Sequence, residues 1–182
     1  MSRLSTRDIA YAALFTALTA AGAYIAIPVG SVPYTLQVLV VLLAGMVLGP
    51  RLGALSMVAY LVLGLIAPVY AGGTSGLGVL LGPTGGYLWG FILAVLVTGV
   101  IARLEHASLL RLMAAALAGL IPIYLMGTVW LALQLDMGVR AAVLAGVVPF
   151  VWVDVAKAVA AALTARALVS LSLGLPALQR DR

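Results

Sequence analysis

Charged side chains are nearly absent from six long apolar stretches of this sequence and collect at their ends. That placement suits the six stretches to one solvent, the interior of a lipid bilayer. A water-facing domain carries about 25% charged residues, whereas this chain has 8%, with 65% hydrophobic residues and a mean hydropathy of +1.24. In lipid every backbone polar group must be satisfied within the protein, which favours helices. The expected fold class is therefore an all-α membrane protein, a compact six-transmembrane-helix bundle, with residues 1–182 forming a single integral membrane domain.

Gly, Pro and polar clusters delimit the helices. They are expected at about residues 8–27, 36–48, 52–66, 86–104, 109–135 and 149–171, with Pro122 kinking the fifth. Val139 to Val147 is expected as a short interfacial helix. The second and third are short for a crossing at about 1.5 Å per residue. The glycine-rich stretch after them is expected to supply the missing depth as a re-entrant loop, backbone that survives at membrane depth only beside protein or a water-filled cavity. The first apolar run, about Ile9 to Ile27, exceeds a signal h-region and lacks a clear A-x-A site, so it is expected to stay as helix 1.

The net charge of +5 sets topology rather than marking a nucleic-acid partner. With the N-terminus inside, Arg3, Arg7, Arg51, Arg103, Arg111, Arg166, Arg180 and Arg182 are cytoplasmic and Arg140 alone faces out. The positive-inside rule then expects both termini in the cytoplasm. Cysteine is absent, which excludes disulfides, thiolate nucleophiles and Cys-based metal sites. His106, beside Glu105, reads as part of a solvated connection, and no metal or cofactor is expected.

One pair breaks the charge pattern. Asp154 and Lys157, the chain's only lysine, lie within Val151-Trp152-Val153-Asp154-Val155-Ala156-Lys157. At i, i+3 they share one helix face. Intramembrane charges are costly and mark ligand or ion paths; the competing reading is a structural ion pair. Two further stretches fall on the same, outer side. Ser31-Val32-Pro33-Tyr34-Thr35-Leu36-Gln37 offers hydrogen-bonding groups on restricted backbone, or simply a helix start capped by Thr35. Tyr70 to Gly78 and Leu81-Gly82-Pro83-Thr84-Gly85-Gly86-Tyr87-Leu88-Trp89-Gly90-Phe91 allow close backbone approach to a ligand, or close helix packing. Gly85 and Gly86 are expected to leave free N–H groups at an anion-friendly helix start. No Gly-Lys-Ser/Thr follows, which excludes a P-loop. Trp130 and Trp152 read as interfacial anchors or as ligand contacts. Ala13, Ala17 and Ala21 recur at every fourth residue, a flat ridge able to take another helix, from this chain or from a partner.

With these motifs in place, the chain resembles the BioY family, the biotin-specific substrate-binding (S) component of energy-coupling factor (ECF) vitamin transporters. The resemblance spans nearly the whole chain and rests on Val32-Pro33-Tyr34-Thr35-Leu36-Gln37, Gly82-Pro83-Thr84-Gly85-Gly86-Tyr87 and Asp154-x-x-Lys157. It implies a six-helix bundle in a prokaryotic cell membrane that holds biotin near the outer face. It also implies that Ala13 and Ala17 dock on a transmembrane coupling subunit joined to two cytoplasmic ATPases. The expected substrate-binding residues are Asp154, Lys157, Tyr87, Gly85, Gly86, Thr35, Gln37, Gly73 and Thr74. Asp154 is expected to accept from the ureido N–H groups, with Lys157 supplying a donor or positive charge to the ligand or to Asp154. No catalysis is expected, since Asp8, Glu105, Asp136 and Asp181 lie at ends or loops and no nucleotide-binding motif is present. The rival readings are an S component for thiamine or riboflavin, a lipid-modifying enzyme, and a structural or assembly subunit.

Overall fold

The computed structural model describes residues 4–28, 30–102 and 108–171. Arg3, Arg103, Glu105, His106, Pro176, Arg180, Asp181 and Arg182, and the expected end of the fourth helix at Leu104, lie outside the described residues. The described chain contains α1 (Thr6–Tyr24), β1 (Ala26–Ile27), β2 (Tyr34–Thr35), α2 (Gln37–Ile66), a 3-10 turn (Ala71–Gly73), α3 (Leu77–Leu81), α4 (Gly85–Ala102), α5 (Leu109–Gln134), α6 (Val139–Gly146) and α7 (Val151–Ser170).

Helix α1 starts at a capping box in which Ser5 accepts from the Asp8 N–H and Asp8 accepts from the Ser5 N–H. It ends at Tyr24 rather than Ile27, because Ala26–Ile27 pairs antiparallel with Tyr34–Thr35 as a two-residue ribbon. Two residues per strand give no alternation that a sequence can display.

Gln37–Ile66 is one run of helical residues interrupted at Gly49, whose φ of 73° and ψ of 175° only glycine adopts readily. The chain folds back there. A Cβ on Gly53 would lie 3.5 Å from the Ala44 carbonyl oxygen and 3.6 Å from Gly45 Cα. In a straight helix, residues nine apart are separated by about 13 Å. Residues 37–48 and 50–66 are therefore two helical halves, and Pro50 opens the second, where its missing N–H costs least.

Helix α4 lies between α2 and α5, its largest contacts; α1 packs on α2, while α7 bridges α2 and α5. Small residues set these crossings: Gly45 sits against Val95 and Thr98, Gly90 against Pro122 and Ile123, and Gly99 against Gly49 and Pro50. Among the described residues three helices, Gln37–Ile66, Gly85–Ala102 and Leu109–Gln134, are long and apolar enough to cross a membrane, and α6 with α7 makes a fourth if that pair, bent by 53°, is one span. Arg7, Asp8 and several threonines keep α1 below that level of apolarity.

Candidate ligand cavity

Helix α7 places Asp154 in its first turn, where the positive end of the helix dipole favours a carboxylate. One turn on, Lys157 Nζ lies 2.7 Å from Asp154 Oδ1. From α5, the Tyr124 hydroxyl donates to Asp154 Oδ2 at 2.6 Å. Asp154 and Lys157 are only 4% and 7% exposed. A buried ion pair holds only when further hydrogen bonds satisfy it, and Tyr124 supplies one. Lys157 retains donor capacity beyond the single partner, since an ammonium has three N–H groups.

A second polar cluster is uncharged. Thr35, at the end of β2, donates its hydroxyl proton to Gln37 Oε1 at 2.9 Å and accepts the Gln37 backbone N–H at 3.3 Å. Gln37 Nε2 donates to the Tyr60 hydroxyl oxygen at 2.7 Å, and Tyr60 donates to the Val69 carbonyl at 3.0 Å. Gln37 opens the first half of α2 and Tyr60 belongs to the second, so the fold-back at Gly49 brings them together.

Both clusters face one cavity with about 640 Å³ of empty space, part of it open to the exterior. Its walls are largely apolar and aromatic: Val32, Pro33, Val38, Val79, Leu88, Phe91, Ile123 and Phe150, with Tyr34, Tyr70, Tyr87 and Tyr124. Thr35, Gln37, Thr84, Asp154 and Lys157 add the polar side chains. A shallower groove outside shares Tyr34, Thr35 and Lys157 but otherwise meets only Ile25, Ile27, Leu36 and Val153, so the polar chemistry belongs to the first space.

Two tyrosines tie the joint between α6 and α7 to this wall. Tyr87 donates to the Gly146 carbonyl at 2.9 Å, and Tyr34 donates to the Pro149 carbonyl at 2.5 Å while its ring rests 4.5 Å from that of Phe150. A Cβ on Gly127 or Gly146 would strike Tyr87, so these two glycines form its slot.

Of the residues expected at the site, Asp154, Lys157, Tyr87, Thr35 and Gln37 line the cavity. Gly85, Gly86, Gly73 and Thr74 do not. At the expected anion-friendly helix start the Gly85 N–H is not free, since it donates to the Gly82 carbonyl, and the Tyr87 N–H donates to that of Thr84. Gly85 instead lies against Leu80, and Gly86 against Trp130 and Met126. Trp130 donates its indole N–H to the Gly82 carbonyl at 2.9 Å, so it fastens the α3–α4 turn. Trp152 is 78% exposed. Thr74 bridges to Tyr70, and Gly73, with φ of 76°, sits beside Tyr24; both shape the loop that delivers Tyr70 and Ala71 to the cavity. Ala13 and Ala17 are exposed on α1, away from its buried residues Ala12, Phe15, Thr16 and Thr19.

Sequence reasoning missed Tyr124, Tyr60 and Phe150, and it named the stretches that hold Tyr70 and Phe91 without singling those two out. A signal existed for the tyrosines: a tyrosine within an apolar helix needs a partner for its hydroxyl. Tyr124 meets that need with Asp154, and Tyr60 with Gln37 and Val69.

Fold and site together define an α-helical membrane protein with a cavity that carries a charged and an uncharged polar cluster. The chain belongs to the BioY family, which matches residues 1–173. It is 44% identical to the biotin transporter BioY of Thermotoga maritima, over 92% of this chain and 98% of that protein. It is 43% identical to the probable biotin transporter BioY of Pyrococcus horikoshii, over 91% of this chain and 98% of that protein. The crystal structure of the S-component for biotin from an ECF-type ABC transporter superposes with a TM-score of 0.83 at 29% identity, covering 90% of this chain and 91% of that one.

Proposed function

We propose that this protein is the biotin-binding membrane component of an ECF-type vitamin uptake transporter, and that it captures biotin from the outer side. The observation that carries the reading is the Asp154–Lys157–Tyr124 cluster set in an apolar, aromatic cavity with a second polar cluster in the same wall. Biotin matches it in kind: a bicyclic body and aliphatic tail need apolar surface, the ureido group needs an acceptor and a donor, and a carboxylate ends the tail. Asp154 accepts a ureido N–H, and Lys157 donates to the ligand while neutralising Asp154. Thr35 and Gln37 supply the uncharged polar contacts, and Tyr87 an aromatic wall. Gly85, Gly86, Gly73 and Thr74 serve binding through the loops they allow, since none of them lines the cavity.

In this reading six helical segments cross the membrane: α1, the two halves of α2, α4, α5, and α6 with α7. The chain between α2 and α4 enters from outside as a re-entrant loop. The arginine distribution supports cytoplasmic termini and an outward-facing cavity. The exposed Ala13 and Ala17 face of α1 docks on a transmembrane coupling subunit, and two cytoplasmic ATPases supply the energy.

Thermal stability of the detergent-purified chain, with biotin and with a panel of other vitamins, tests this directly. Ligand at 100 times Kd adds about 2.7 kcal/mol to the folded state. Biotin alone is expected to raise Tm; a shift with another vitamin in its place overturns the substrate. Normal biotin affinity in well-folded Asp154→Asn and Lys157→Gln forms would sink the residue roles.

A further inference from the structure

The hydrogen bonds in the uncharged cluster of the cavity run in one direction, and that direction is set by a residue behind the cavity wall. The Val69 carbonyl has no proton to give, so the Tyr60 hydroxyl must donate to it. A hydroxyl has one proton, and the Tyr60 oxygen is therefore an acceptor toward Gln37. The Gln37 group that faces it has to be Nε2, which turns Oε1 toward the Thr35 hydroxyl. Thr35 and Gln37 line the cavity, whereas Tyr60 is fully buried, is not among the lining residues, and rests edge-on to Tyr70 with ring centroids 5.6 Å apart.

We propose that Tyr60 is a positioning residue for ligand capture that acts through Gln37, fixing which end of the Gln37 side-chain amide donates and which accepts. The proposal rests on the reading of this cavity as the biotin site. The two ends of a glutamine amide have nearly the same shape, so a flip exchanges donor for acceptor at little steric cost. Thr35 cannot prevent the flip, because its hydroxyl donates or accepts as required. Only the chain that ends on a main-chain carbonyl breaks the symmetry. With Tyr60 in place, the ligand meets one pattern of donor and acceptor at position 37. Without its hydroxyl, the ligand meets two, and one of them opposes it.

The test is the biotin Kd of Tyr60→Phe, Gln37→Met and the double variant, with Tm of each unliganded protein. Loss of the hydroxyl is expected to raise Kd about twofold, the cost of two equally populated amide orientations of which one is competent. Adding Tyr60→Phe to Gln37→Met is expected to leave Kd unchanged, because a residue that acts through Gln37 has nothing left to act on. An equal loss in both backgrounds marks a packing role and overturns the proposal, as does a Tyr60→Phe Kd equal to that of the unmodified chain. Should Tyr60→Phe not fold, Tyr60→Met and Tyr60→Leu are measured in the same two backgrounds, and equal losses with and without Gln37 overturn the idea. A folded, unmodified chain that does not bind biotin removes the underlying reading, and the proposal with it.

Discussion

In the charged cluster Asp154 and Lys157 meet across a single turn of α7, with Tyr124 as their partner from another helix. In the neutral cluster four residues from β2, both halves of α2 and the following loop complete a chain of hydrogen bonds. The contrast follows from cost. A charge in low dielectric needs its counter-charge close at hand, and neighbouring positions on one helix face guarantee that before any tertiary structure forms. Neutral groups incur a smaller penalty when unpaired, so they can be gathered from distant parts of the chain.

Four measurements strain this contrast, and the largest effect belongs to the charged cluster. Lys157→Met leaves Asp154 buried without its cation and is expected to cost about 3–5 kcal/mol of stability, read by denaturation in detergent. A loss below about 1 kcal/mol would place the two clusters on the same footing. Tyr124→Phe removes a hydrogen bond to a charged group, so about 1.5–3 kcal/mol is expected in the same assay. In the neutral cluster, Gln37→Met is expected to cost only about 1 kcal/mol of stability, because Tyr60 keeps its bond to the Val69 carbonyl and the Thr35 hydroxyl can turn to another acceptor. Its effect should instead appear in the biotin Kd, measured by isothermal titration. Trp152→Ala, on the exposed face of α7, is expected to stay within about 0.5 kcal/mol by denaturation and to leave Kd unchanged.

The same contrast explains what could be read from the sequence. Asp154 and Lys157 stood out because an acid and the chain's only lysine fall together inside an apolar stretch, and their spacing alone put them on one face. Thr35, Gln37 and Tyr87 were legible as polar groups beside prolines and glycines, although nothing local showed that Gln37 reaches Tyr60, 23 positions along the chain. The glycines misled for a physical reason. A glycine that admits a ligand and one that admits a neighbouring helix look identical in one dimension, and Gly86 admits Trp130. Gly127 and Gly146 drew no notice, yet they make the slot for Tyr87. Helix α1 and its ribbon show the same limit, since Ala26 and Ile27 are apolar enough to extend the helix and only their pairing with Tyr34 and Thr35 ends it.

The break at Gly49 also fixes the scale of the molecule. Thirty residues of unbroken helix would make a rod of about 45 Å, half as long again as the roughly 30 Å of hydrocarbon it would have to fit. Space is not what forbids a larger residue there, because a Cβ at Gly49 would touch nothing within 4 Å. The backbone angles alone forbid it. A single hydrogen atom standing where other residues carry carbon thus decides whether Gln37 and Tyr60 share a wall or lie at opposite ends of a rod too long for its solvent.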